Sequence, residues 1–147
     1  MRITELPRKL RRFGALNLAD QWLLLRAAAH LALARIQLAR TPFDRLAARL
    51  SEAAGQDTSI PDPELVSRVQ YAVSSAAGNV PWRSDCFPQA IAAFKLLQRQ
   101  GYSSSIHLGV EKPGDELLGH AWLTCGDTVV TGGEEVDRYV EIHRLGE

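Results

Sequence analysis

The chain has 147 residues, 46% of them apolar and 23% charged, ordinary globular usage that supplies a real core and excludes a disordered chain. Its formal net charge is zero, yet residues 1 to 50 carry 10 Lys and Arg against 3 Asp and Glu, and the remainder 7 against 14. The basic start (Arg2, Arg8, Lys9, Arg11, Arg12) reads as a solvated helix face, with a nucleic-acid or membrane-surface patch as the alternative.

From Leu18, apolar residues recur at Trp22, Leu25, Ala29, Leu33 and Ile36, steps of three and four that predict a helix burying this stripe. Asp20, Arg26, His30, Arg35 and Gln37 interrupt the Leu- and Ala-rich run, so no apolar stretch of about 18 residues is long enough to span a bilayer. No clean apolar segment with a small-residue cleavage site follows the basic start, so no secretory signal is expected and a cytoplasmic location is. Thr41 before Pro42 reads as a cap with proline at the first helical position, opening a second helix through Leu46 and Leu50. Gly55, Pro61 and Pro63 mark a linker within residues 52–63, placing a boundary between a helical module (1–58) and a second unit (59–147).

Asp62-Pro63 repeats the cap-then-proline signal, and Val66, Val69 and Val73 form the stripe of a helix ending before Gly78. A loop, Asn79 to Asp85, leads to Cys86, where a further stripe begins (Phe87, Ala90 or Ile91, Phe94, Leu97) and which Gly101 closes. The period then changes to two. Strands are expected from Ser105 to Val110, from Leu118 to Cys125, after the Gly126-Asp127 turn from Thr128 to Thr131, and from Tyr139 to His143. Helices followed by antiparallel strands give an α+β fold.

A cysteine acts as a nucleophile only as thiolate, which a helix N-terminus favours through its partial positive charge and unpaired amides. Cys86 has that position, behind polar Arg83, Ser84 and Asp85 that do not belong to a deep apolar core. The plain alternative is an inert cysteine packed at a helix head. On the strand that follows, alternation puts His120, Trp122 and Thr124 on one face and Ala121, Leu123 and Cys125 on the other. His120 is then placed to act as base toward the thiol, or else is a structural histidine. Cys125, opposite His120 and without a basic neighbour, is expected to be structural. The four histidines share no close spacing with either cysteine, so no metal or other cofactor is expected.

Trp82-Arg83-Ser84-Asp85-Cys86-Phe87-Pro88-Gln89-Ala90, followed by Gly119-His120-Ala121-Trp122, resembles the transglutaminase-like leader peptidases of lasso-peptide biosynthesis. The likeness extends over nearly the whole chain. It implies a papain-like core, a thiol-bearing helix on an antiparallel sheet behind a small helical module, and a Cys-His-Asp triad that removes the leader from a ribosomally made precursor. Cys86 and His120 match that triad. The family's aspartate falls where this sequence has Thr131-Gly132-Gly133, so Glu134 is the nearest carboxylate. Glu135, Asp137 and Asp127 are weaker substitutes, and Thr131 or a backbone carbonyl could orient the histidine instead. Trp82, Arg83 and Trp122 are candidate substrate contacts, with packing or a surface ion pair as their plainer roles. The partners implied are the precursor peptide, a small leader-recognition protein and a macrolactam cyclase, with no nucleic acid. Two other readings stand beside this one: an amidase or acyltransferase acting on another substrate, and an inactive binding scaffold of the same fold.

Overall fold

The computed structural model describes residues 6–54 and 59–146. Arg2 of the basic start and residues 55–58 of the expected linker lie outside them. Five α-helices precede the sheet: α1 (Leu6–Gly14), α2 (Leu18–Arg40), α3 (Phe43–Ala53), α4 (Pro63–Ala77) and α5 (Cys86–Gln98). Strands β1 (Ser105–Glu111), β2 (Leu118–Cys125) and β3 (Thr128–Thr131) follow, then a 3₁₀ turn (Gly133–Arg138) and β4 (Val140–Leu145). The sheet is antiparallel with order β3-β2-β1-β4.

Local chemistry sets the helix ends. Asn17 caps α2 by accepting from Asp20 N at 2.8 Å, and Asp62 caps α4 by accepting from Glu64 N at 3.0 Å, with Pro63 just inside. The Thr41-Pro42 signal works differently from the expectation. Thr41 closes α2 through its N–H to Gln37 O, and Pro42 sits at the N-cap of α3 with no side-chain cap. At the end of α5, Gly101 takes φ +80° and Tyr102 N–H returns to Leu97 O, the reversal expected there.

The face that α2 buries corrects the sequence reading. Ala27, His30, Leu31 and Ala34 are buried, whereas Leu18, Trp22, Leu25, Ala29, Leu33 and Ile36 are all exposed. Apolar residues occur on every side of this helix, so periodicity did not choose between faces. Shape did: alanines on the inner side let α2 lie close against α4 and α5, its two main partners.

One buried cluster runs from Ala27 and Leu31 of α2 through Leu46 and Leu50 of α3, Val69 and Val73 of α4 and Phe94 and Leu97 of α5 to Ile106, Leu123 and Val130 of the sheet. The cluster thus joins α2 and α3 to α4, α5 and the sheet. Almost every residue of α5 from Pro88 to Leu97 is buried, which fixes its N-terminus between α4 and the strands. The result is a mixed α+β fold with a thiol-bearing helix against an antiparallel sheet.

Candidate active site

Cys86 is the first residue of α5 and its side chain is partly exposed. The N-cap residue, Asp85, makes no side-chain cap, because its carboxylate pairs with Arg83 at 3.3 Å instead. Pro88, in the same first turn, has no N–H to offer. The Cys86 and Phe87 amides are therefore free of partners among the described residues and carry the positive end of the helix dipole. Two hydrogen bonds fix the loop before the thiol: Arg35 Nη1 donates to Arg83 O at 2.7 Å, and Gln89 Nε2 donates to Ser84 O at 2.7 Å.

His120 stands on β2 opposite Gly109 of β1. Its Nε2 lies 2.8 Å from Gly132 O. A carbonyl only accepts, so Nε2 carries the proton, and Nδ1 of the neutral ring is the lone-pair nitrogen, with no partner among the described residues. The ring is also held by stacking. Tyr139 lies 4.8 Å from it between centroids and Trp122 6.1 Å, while the far side of Trp122 stacks on His107 at 5.3 Å and 5°. His107 is fixed in turn, its Nδ1 3.1 Å from Glu141 Oε2 and its Nε2 2.8 Å from Thr124 Oγ1. The candidate base is thus one member of a run of four rings, Tyr139-His120-Trp122-His107.

Two glycines make this arrangement possible. Gly132 has φ +72°, and a Cβ on it would fall 2.6 Å from Ala121 O and 3.0 Å from His120 Nε2. A Cβ on Gly109 would fall 2.8 Å from Cζ3 of Trp122 and 3.0 Å from Tyr139 Cβ. Either side chain would push the ring stack or the carbonyl out of place.

Cys86 and His120 open into one cavity of ≈ 360 Å³. Gln70 and Ser74 of α4 form one wall, Gln89 lies beside the thiol, and Val130 to Glu135 form the opposite rim. Glu134 is therefore at the site, on the 3₁₀ turn, but it is the main-chain oxygen of Gly132 that accepts the histidine's hydrogen bond. Thr131 also lines the cavity, its buried hydroxyl without a hydrogen-bond partner among the described residues. Trp122 is buried in the ring stack, and neither it, Trp82 nor Arg83 is among the cavity-lining residues. Arg83 is exposed and paired with Asp85. Cys125 is buried, its thiol donating to Ser103 O at 3.4 Å, and burial pushes its pKa up, which keeps it protonated. Among the described residues no three His, Cys, Asp or Glu side chains converge as a metal would require.

Sequence reasoning missed Gln70, Ser74 and Gln89. They are ordinary polar residues on helices, and only the approach of α4 to the start of α5 gives them a common wall.

Neither the curated proteins nor the solved structures gave a match to this chain. The sequence does match the transglutaminase-like superfamily over residues 23–144, a span that takes in most of α2, Cys86, His120 and the sheet up to Arg144. With a thiol at a helix start, a histidine on the second strand and a helix-on-sheet core between them, the chain belongs to the transglutaminase-like superfamily, whose members are typically cysteine-dependent enzymes.

Proposed function

We propose that this chain is a cysteine endopeptidase that removes the leader from a ribosomally made precursor peptide, as in lasso-peptide maturation. The observation that carries the reading is the opening of Cys86, at the N-terminus of α5, and His120, held through Nε2 by Gly132 O, into a single cavity.

In this mechanism His120 Nδ1 takes the Cys86 proton, and the thiolate attacks the carbonyl carbon of the scissile peptide. Negative charge moves to the carbonyl oxygen, where the free Cys86 and Phe87 amides stabilise it. The C–N bond then breaks as the imidazolium protonates the departing amine, leaving an acyl thioester on Cys86. A water deprotonated by His120 attacks that thioester and releases the carboxylate and the thiol. Gly132 O orients the ring throughout and stabilises the imidazolium as a neutral acceptor, the task that falls to an amide side chain in some papain-like sites. A small leader-recognition protein would present the substrate, and a macrolactam cyclase would act on the released core.

The test is cleavage of a precursor peptide in the presence of its leader-recognition protein, followed by mass spectrometry. Wild type should cut at a single bond, while Cys86→Ala and His120→Ala should give no product. Transfer of the acyl group to an added amine in preference to water would replace this reading with an acyltransferase. Equal turnover by wild type and Cys86→Ala would refute it.

A further inference from the structure

The outward stripe of α2 has no counterpart among the described residues. Trp22, Leu25, Leu33 and Ile36 are 63%, 53%, 51% and 48% exposed, with exposed Ala29 at their centre. Together the four large side chains present on the order of 400 Å² of apolar surface, within the size range at which exposed patches mark interaction sites.

The spacing of the stripe is symmetric. Trp22 and Ile36 lie equally far on either side of Ala29, as do Leu25 and Leu33. A two-fold axis through Ala29 would therefore set a second α2 antiparallel to the first, with Trp22 on Ile36, Leu25 on Leu33 and Ala29 on Ala29. Such a surface is complementary to itself, as an isologous contact requires. The small residue at the crossing allows the helices to approach to about 8–10 Å between axes.

Charge follows the same pattern. The two-fold pairs Arg26 with Ala32, Arg35 with Leu23 and Arg40 with Leu18, so no arginine of the helix meets its own kind. The stem of Arg26 is free to cover the alanine opposite. Zero net charge adds no overall repulsion between copies. With the flanking side chains, the contact approaches the ~1,000 Å² expected of a specific interface.

We infer that the protein forms a two-fold dimer through an antiparallel pair of α2 helices crossing at Ala29. Light scattering of the full chain at tens of micromolar should give twice the mass of one chain, and Leu25→Glu should raise the dissociation constant at least about a hundredfold. Leu25 is exposed, so that variant keeps its fold, which circular dichroism checks.

Disulfide trapping in a Cys86→Ser background reads the geometry. Two Ala29→Cys chains should cross-link readily, because their Cα atoms come within disulfide reach. Two Ala39→Cys chains, roughly 30 Å apart in the antiparallel pair, should not. A monomeric wild type overturns the inference, including one that binds anionic vesicles through the same stripe. So does a dimer that Leu25→Glu leaves intact, or cross-linking as efficient at position 39 as at position 29.

Discussion

Gly132 holds His120 by its carbonyl oxygen and can do so only because it has no side chain: the oxygen is 2.8 Å from Nε2, and a Cβ on the same residue would lie 3.0 Å from that nitrogen. The residue thus supplies an acceptor where a triad would place an acidic side chain.

Gly132→Ala should therefore damage both stability and turnover. Left-handed backbone costs about 1–2 kcal/mol for a residue with a Cβ, and the predicted contact with Ala121 O forces a further shift. Displacing the ring by about 1 Å should lower kcat by roughly 10²-fold. Thermal unfolding together with precursor cleavage checks both. Glu134→Gln, which leaves that carbonyl in place, should retain activity within a few-fold.

The ring stack predicts a separate effect. Trp122 lies between His107 and His120, so Trp122→Ala should destabilise the fold by about 3–5 kcal/mol. Trp122→Phe, which keeps an aromatic face, should recover most of that loss. Urea titration of the two variants measures the difference, and equal stabilities would contradict a packing role for the indole.

Stability should fall on mild acidification. His30 is buried with Nδ1 unpaired among the described residues, and its pKa is lowered from the usual 6.5 chiefly by burial, with Arg99, Lys95 and Arg26 adding repulsion. The unfolded chain then binds the proton more readily than the folded one. Stability is thus complete above about pH 6.5 and lost as pH falls toward the depressed folded value, by at most about 1.4 kcal/mol per pH unit for this one group. Glu141 adds a loss only at lower pH: its hydrogen bond from Arg144 is the largest cause holding its pKa below the ordinary 4.5, so that contribution disappears as pH drops through the folded value. Urea unfolding between pH 7.5 and 5.5 should show this loss, and His30→Gln should flatten the slope.

The two thiols should behave oppositely. Iodoacetamide at neutral pH should label Cys86 and spare Cys125, which is buried and kept protonated. Peptide mapping of the native protein gives the two yields directly. Cys125→Ala should leave peptide cleavage unchanged while removing a buried sulfur contact.

The signals legible in the sequence were those carried by side chains in local patterns. Asp62-Pro63 capped α4, period-two alternation placed Leu118–Cys125 as β2, and the apolar stripe through Phe94 and Leu97 placed Cys86 at the start of α5. The face of α2 was not legible, since leucines and alanines surround that helix and only the close approach of α4 and α5 selects the alanine side. The acceptor for His120 was narrowed to a hydroxyl, a carboxylate or a carbonyl but not chosen. A main-chain oxygen leaves no residue type to read, and its one trace is the glycine whose left-handed turn brings it to the ring.

The central claim is that Cys86 and His120 work as a pair, and the rate of Cys86 alkylation tests it most directly, followed by peptide mapping in wild type and in His120→Ala at pH 6. The account predicts that wild-type Cys86 reacts faster than free glutathione and that the substitution slows it at least about tenfold, because the thiolate loses its imidazolium partner. Equal rates in the two proteins, no faster than glutathione, would contradict the pair and leave the fold as a scaffold.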